Sequence, residues 1–353
     1  MSEPGRVLVV APNWLGDAVM ALPAFADVRR AHGQARLIVA ARPSIAPLYS
    51  MVPGVDSTIV TQWRGSVRDR RPLQDDVRQI LAEQVERAIL FPNSFASAWV
   101  VHRARVRDRW GYAADLRRPW LTRAVRRPRG SRHQGAYYQY LVRELGIPNG
   151  PLEPVLKVPD PAIEEARSLL RTRGWEESRP LLVVAPGAAY GTAKRWLPRH
   201  FASLISRAIR ETGTHVVLVG APADAASARL VLESTSGAER EALVDLTGAT
   251  TLQTLAGVMS LAAACVSNDS GAMHLAGAVG TPLAAVFGPT REKETAPLTR
   301  HGGRSDVLIN HVWCRPCMLR DCPIDHRCMT RITVDRVFDA VEGRLGPDEG
   351  RVP

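Results

Sequence analysis

The sequence predicts an α/β protein made of two doubly wound parallel sheets, and three observations carry that expectation. The chain has 353 residues, more than one hydrophobic core usually holds, so two domains of roughly 150 residues each are expected. Short β-branched runs alternate with helix-length amphipathic segments, the pattern of parallel strands joined by crossover helices. A proline-dense stretch, IPNGPLEPVLKVPDP, breaks that alternation near the middle. The expected division is an N-terminal domain over 1–147, a linker over 148–160 and a C-terminal domain over 161–353.

Strands are expected at Arg6–Ala11, Ala35–Ala41 and Ala88–Phe91 in the first half. In the second half they fall at Leu181–Ala185, His215–Gly220, Leu243–Leu246, Ala264–Ser267 and Leu283–Phe287. Continuous apolar runs such as LLVVA and VVLVG suit sheets covered on both faces. The amphipathic segment HQGAYYQYLVREL precedes the linker, and a helix near Val334–Leu345 is expected at the C-terminal end. The first apolar run stops at Pro12 and Asn13, and residues 246–268, though uncharged, are rich in Thr. Neither a secretory signal nor a spanning helix is therefore expected, which points to the cytoplasm.

The formal net charge is +11, and Arg103–Arg132 alone holds eleven Arg against Asp108 and Asp115. Such a basic face predicts an anionic partner: nucleic acid, a phosphorylated glycolipid or an acidic leaflet. With only three lysines (Lys157, Lys194 and Lys293), the arginine excess also fits a high-GC genome.

Ligands of doubly wound sheets sit outside the carboxyl ends of the strands, so the residues there matter most. Asp17 follows the first strand at the start of a helix, where an acid can cap free N–H groups or serve as a base. In LLVVAPGAAYGTAKRW a glycine turn precedes Thr192, Lys194 and Arg195, small residues and cations suited to a phosphate. The helix after it is expected to open at Pro198. In CVSNDSGAMHLAGAVGTPLAAVFGPT, Asp269, Ser270 and Gly271 stand at a helix start with His274 one turn along, again an arrangement for a diphosphate and a sugar. Gly220–Pro222 and Leu246–Gly248 are candidate walls for a nucleoside. Neither G-x-G-x-x-G nor G-x-x-x-x-G-K-[ST] occurs, which disfavours a standard dinucleotide fold and a Walker ATPase. Cys314, Cys317, Cys322 and Cys328 fall close together with His326; the spacing admits a structural zinc site or free, redox-active thiols. Cys265 reads as core.

Three of these stretches, NWLGDAVMALPAF, PGAAYGTAKRWLPRHFA and SNDSGAMHLAGAVGTPLAAVFGPT, occur in the order seen in the ADP-heptose:lipopolysaccharide heptosyltransferases. Over nearly its full length the chain resembles that family, most closely the heptosyltransferase II branch. The resemblance implies a GT-B fold, two Rossmann-like domains facing an interdomain cleft, with the acceptor on the N-terminal half and the donor on the C-terminal half. It implies inverting, metal-independent transfer of L-glycero-D-manno-heptose from ADP-heptose to heptosyl-Kdo2-lipid A, with Asp17 as general base and no catalytic cofactor. Gly187, Thr192, Lys194, Asp269, Ser270, Gly271 and His274 then hold the donor, although Ala188, Ala189 and Tyr190 stand where relatives can carry hydroxyls. Arg64, Arg68, Arg70 and Arg71 would face the acceptor's carboxylates and phosphates, and Arg103–Arg132 the cytoplasmic leaflet of the inner membrane, with no nucleic acid expected. Competing readings are a family member using another sugar nucleotide or acceptor, a nicotinamide-dependent oxidoreductase, and a basic nucleic-acid-binding protein with a Cys knuckle.

Overall fold

The computed structural model describes residues 5–62, 70–235 and 237–345. The chain divides into two units, Met1–Lys157 and Val158–Pro353. In the first, β1 (Arg6–Val10) leads into α1 (Leu15–Met20) and α2 (Leu22–Ala31), then β2 (Arg36–Ala41), β3 (Ser57–Val60) and α3 (Arg70–Ala82). There follow β4 (Arg87–Leu90), α4 (Phe95–Arg103), β5 (Asp108–Tyr112), β6 (Arg123–Val125) and α5 (Gln134–Glu144). All pairings are parallel, in the order β3-β2-β1-β4-β5-β6.

The second unit runs α6 (Asp160–Thr172), β7 (Leu181–Ala185), α7 (Pro198–Thr212), β8 (His215–Leu218), α8 (Ala225–Glu233), β9 (Leu243–Asp245) and α9 (Leu252–Leu261). It continues with β10 (Ala264–Asn268), α10 (Gly271–Val279), β11 (Leu283–Phe287), α11 (Glu292–Thr295), β12 (Ser305–Ile309), α12 (Arg327–Thr330) and α13 (Val334–Asp339). Its sheet, β12-β11-β10-β7-β8-β9, is parallel throughout and repeats the first unit's order strand for strand. In each sheet the order in which strands are added therefore reverses once, between β1 and β4 and between β7 and β10, and such a switch point opens a crevice at the strand ends.

The central strands form as their sequence dictates. β7 and β11 are buried and apolar at every position, as a sheet covered on both faces requires, and β10 is buried throughout but ends in Ser267 and Asn268, whose side chains are hydrogen-bonded. Four strands escaped the periodicity: β3, β5, β6 and β12. Each carries exposed or half-buried positions, and β5 and β6 lie inside the arginine-rich stretch. α7 opens at Pro198, where a proline costs no hydrogen bond. The expected C-terminal helix is broken: α13 stops at Asp339, and a separate 3-10 turn covers Glu342–Arg344.

Candidate functional site

In the second unit, two loops meet at the switch point. After β7 the chain passes Gly187 and Tyr190 into a 3-10 turn at Thr192–Lys194; after β10 it passes Asp269 and Ser270 into α10. Buried Asn268 ties them: its Oδ1 accepts from Trp196 N at 2.9 Å and its Nδ2 donates to Pro186 O at 2.8 Å. Lys194 Nζ lies 2.7 Å from Asp269 Oδ2, which also accepts from Thr290 Oγ1 at 2.6 Å. The Asp269 side chain is 4% exposed and that of Lys194 14%. At such burial an unpaired carboxylate would be costly, so cation, acid and hydroxyl act as one cluster. Ser270 is the N-cap of α10 but its side chain makes no cap bond; its Oγ lies 3.1 Å from Ser267 Oγ. Gly271 begins the helix and His274 is buried on it.

Close approach explains two glycines here. A Cβ on Gly187 would come within 2.2 Å of the Asp224 carboxyl carbon, and one on Gly191 within 2.3 Å of Arg320 O. Arg320 belongs to the cysteine-bearing segment, which forms a wall of the site. Ala193 N donates to Arg320 O at 2.9 Å, Thr192 Oγ1 donates to Asp321 Oδ1 at 2.6 Å, and Tyr190 Oη donates to Met318 O at 2.9 Å. His326 Nε2 donates to Ala193 O at 2.7 Å. Arg315 fastens the same segment to the β11 side, reaching Gly288 O at 2.5 Å, Thr290 O at 3.0 Å and Glu292 Oε2 at 2.8 Å. Beside this wall lies a cavity of about 230 Å³ lined by Thr192, Trp196, Phe201, Leu230 and His326. Gly248 N donates to Gly220 O at 2.9 Å, so the two stretches expected to flank a nucleoside do adjoin.

The zinc expectation needs correction. Among the described residues no group of three or more His, Cys, Asp or Glu side chains is placed to hold a metal ion. Cys328 is buried in the core beside Ile332 and Phe338, whereas Cys317 is exposed and Cys314 and Cys322 are half-buried. His326 is already bonded to the Ala193 carbonyl. Burial, then the neighbouring Cys322, Cys314 and Cys317, push the Cys328 thiol up to about 11, and burial pushes Cys265 up to about 12.

In the first unit Asp17 sits in the first turn of α1 and is half-buried. The N-cap position itself is taken by Trp14, whose side chain makes no cap bond, so Asp17 stands within the first turn rather than at the cap, where an acid still suits the positive end of the helix dipole. Trp14 is 64% exposed. Across from α1, Tyr138 of α5 is buried; burial, and then the negative charge of Asp17, push its phenol well above the usual range. The acid therefore stands at the carboxyl end of β1, next to that sheet's switch point. A cavity of about 660 Å³ opens between α3 and α4, lined by Leu73, Val77, Phe95 and Trp99, with Arg78 and Arg103.

Not all of the arginine-rich stretch is free to meet a partner. Arg117 is fully buried, donating from Nε to Tyr112 O at 2.9 Å and from Nη1 to Ser97 Oγ at 3.0 Å and to Pro92 O; burial pushes its guanidinium down to about 10. Arg109 bonds Trp120 O and Val106 O, and Arg123 bonds Leu145 O. These three hold strand and helix ends together. Arg64 and Arg68 lie outside the described residues, as does the side chain of Arg70, while Arg71 is exposed.

Sequence reasoning missed Thr290, Arg315 and Asp321, and it grouped His326 with the cysteines rather than with the loop whose Ala193 carbonyl it meets. Thr290 closes the quoted FGPT and could have been read with its loop; the others act through contacts more than a hundred residues away or through a neighbouring loop, which spacing does not reveal.

A sequence profile described as glycosyltransferase family 9 (heptosyltransferase) matches residues 76–327. Lipopolysaccharide heptosyltransferase 2 of Salmonella typhimurium is 30% identical over 86% of this chain and 88% of that protein. The structure of E. coli ADP-heptose lps heptosyltransferase II superposes with a TM-score of 0.81 at 27% identity, covering 96% of this chain and 98% of that one. A glycosyl transferase family 9 structure from Veillonella parvula gives 0.83 at 21% identity over 98% of each. The paired six-stranded sheets are thus those of the GT-B glycosyltransferases.

Proposed function

The chain belongs to glycosyltransferase family 9, the heptosyltransferases, and on that premise we propose that it moves L-glycero-D-manno-heptose from ADP-heptose to heptosyl-Kdo2-lipid A in lipopolysaccharide core assembly. The observation that carries this reading is the Lys194–Asp269–Thr290 cluster at the switch point, with Thr192 and the start of α10 beside it. Small residues, N–H groups and one ammonium together suit a pyrophosphate. The relatives' names speak of ADP-heptose and lipopolysaccharide; the configuration of the sugar and the heptosyl-Kdo2-lipid A acceptor are part of the proposal.

Inverting transfer is a single displacement. The acceptor oxygen attacks the anomeric carbon as its proton passes to a carboxylate, and the bond from that carbon to the β-phosphate oxygen breaks on the opposite face. Asp17 takes the proton in this reading, and Lys194 offsets the charge growing on departing ADP. Neither role calls for a metal. Gly187, Ser270, Gly271 and His274 complete the donor site, and Trp14 offers an exposed aromatic face beside the base for a sugar.

The acceptor is an anionic amphiphile, and the first unit suits one. Its Met1–Lys157 sequence holds 24 Lys and Arg against 13 Asp and Glu, and the cavity between α3 and α4 joins an apolar floor to two arginines. No helix among the described residues is long and apolar enough to cross a membrane. On this reading the enzyme meets its acceptor as a peripheral protein on the cytoplasmic leaflet, drawn there by the exposed arginines.

Turnover with ADP-heptose and heptosylated Kdo-lipid A, compared between wild type and Asp17→Asn, tests the reading. Transfer should fall by about 10²-fold or more, as loss of a general base does, with ADP affinity within twofold of wild type. Undiminished transfer by the variant removes Asp17 from the reaction, and wild type inert with this pair refutes the assigned substrates.

A further inference from the structure

We propose that Asp321 is a specificity-determining residue of the donor site: its carboxylate holds the Thr192 hydroxyl when no donor is bound and weights the site against free ADP relative to ADP-sugar. The inference rests on the donor-site reading above.

A hydroxyl has one proton to give, and Thr192 gives it to Asp321 Oδ1 at 2.6 Å. Ionised phosphate oxygens only accept, so the Thr192 hydroxyl can bond a pyrophosphate only through that same proton. The two acceptors must exchange. Lys194 faces no such choice, because its ammonium carries three protons and can keep Asp269 Oδ2 at 2.7 Å while binding a second oxygen.

Once displaced, the carboxylate stays close. Its segment is fastened on both sides of the site, through Arg320 O to Ala193 N, through His326 Nε2 to Ala193 O and through Met318 N to Pro289 O at 3.0 Å. Arg315 adds three bonds to the 288–292 stretch. Asp321 therefore remains a fixed negative charge beside the phosphates, with Lys194 and the Arg320 side chain, both within 5.3 Å of the Tyr190 ring centre, as the nearby cations.

A fixed negative charge discriminates by ligand charge. An ADP-sugar carries one ionised oxygen on each phosphorus, whereas the terminal phosphate of ADP ionises a second time with a pKa near 6. Bond cleavage thus adds about one negative charge beside Asp321. The same carboxylate that the donor displaces then opposes the product more strongly, which favours release of ADP after transfer. A carboxylate that merely braced the loop would do the reverse, because its loss would slacken Thr192 and weaken both ligands.

The test uses the full chain, with ADP titrated calorimetrically and ADP-heptose followed by turnover, on wild type, Asp321→Asn and Lys194→Ala. Asp321→Asn should tighten ADP by roughly three- to tenfold, the range for one solvent-facing charge a few ångströms away, and should tighten ADP-heptose less, so that ADP inhibits the variant more strongly. Unchanged or weakened ADP binding in Asp321→Asn, with Lys194→Ala still weakening it, overturns the inference alone. If Lys194→Ala also leaves ADP affinity unchanged, the donor-site reading falls with it. Should Asp321→Asn not fold, Asp321→Ala carries the same expected tightening and the same overturning result.

Discussion

The two units share one strand order but not one charge balance. Met1–Lys157 holds 24 basic against 13 acidic side chains, and Val158–Pro353 holds 22 of each, so the whole net charge of +11 resides in the first unit. The backbone plan is indifferent to this, because buried β-branched strands and crossover helices define it. Charge instead addresses partners. On the proposed reading both substrates are anionic, yet they are met by different means: the acceptor by the summed field of the basic unit, the donor by a few placed groups on the neutral one.

The sharpest way to break that contrast is to cross the single-residue variants. Asp17→Asn should cost about 10²-fold or more in transfer while sparing ADP affinity. Lys194→Ala should weaken ADP by at least about tenfold, as truncating one side of a half-buried ion pair does, and should also destabilise the second unit by about 2 kcal/mol, because buried Asp269 loses its cation and is left with the Thr290 hydroxyl. Equal losses of ADP affinity in both variants would erase the division of labour.

Ionic strength gives a second, smaller effect. Raising salt from about 50 mM to 500 mM shortens the screening length severalfold. Binding of the protein to vesicles rich in anionic lipid should fall several-fold, whereas ADP affinity should change less. The opposite order would place the field effect on the wrong unit.

A still smaller effect comes from one buried histidine, His215, and two half-buried ones, His200 and His102. In the second unit, burial and then nearby arginine lower the pKa of His215 and of His200; in the first, burial with Arg109 and Arg103 lowers that of His102. A folded-state pKa below the unfolded value means that the unfolded chain takes up protons first, so stability is full above about pH 6.5 and declines as pH falls below it. Melting temperature should therefore drop between pH 7 and pH 5, and drop less in His215→Gln. An unchanged slope in that variant would remove His215 as a contributor.

The sequence was most legible where structure is local. β7 and β11 are apolar at every position, and β10 over its first three, because they are covered on both faces, and the glycine-containing loops after β7 and β10 advertise themselves within a few residues. β3, β5, β6 and β12 were hidden because exposed strand positions tolerate polar or charged residues that periodicity reads as loop. The site divides in the same way. Lys194 and Asp269 stand in legible loops, but that they touch, and that Asp321 holds Thr192 from 129 positions away, are products of folding. The cysteines misled for a related reason: nearness in sequence reads as a ligand set, while Cys328 had joined the core.

Asn268 makes one more point about the loop it ties. Its carboxamide gives a proton to Pro186 and takes one from Trp196, so the intervening stretch is a handle riveted at both ends to a central strand. Rearrangement on ligand arrival is thereby confined to the grip of the handle, and the sheet beneath need not register it. Aspartate, though the same size, could hold only one rivet, since it has no N–H to offer the proline carbonyl.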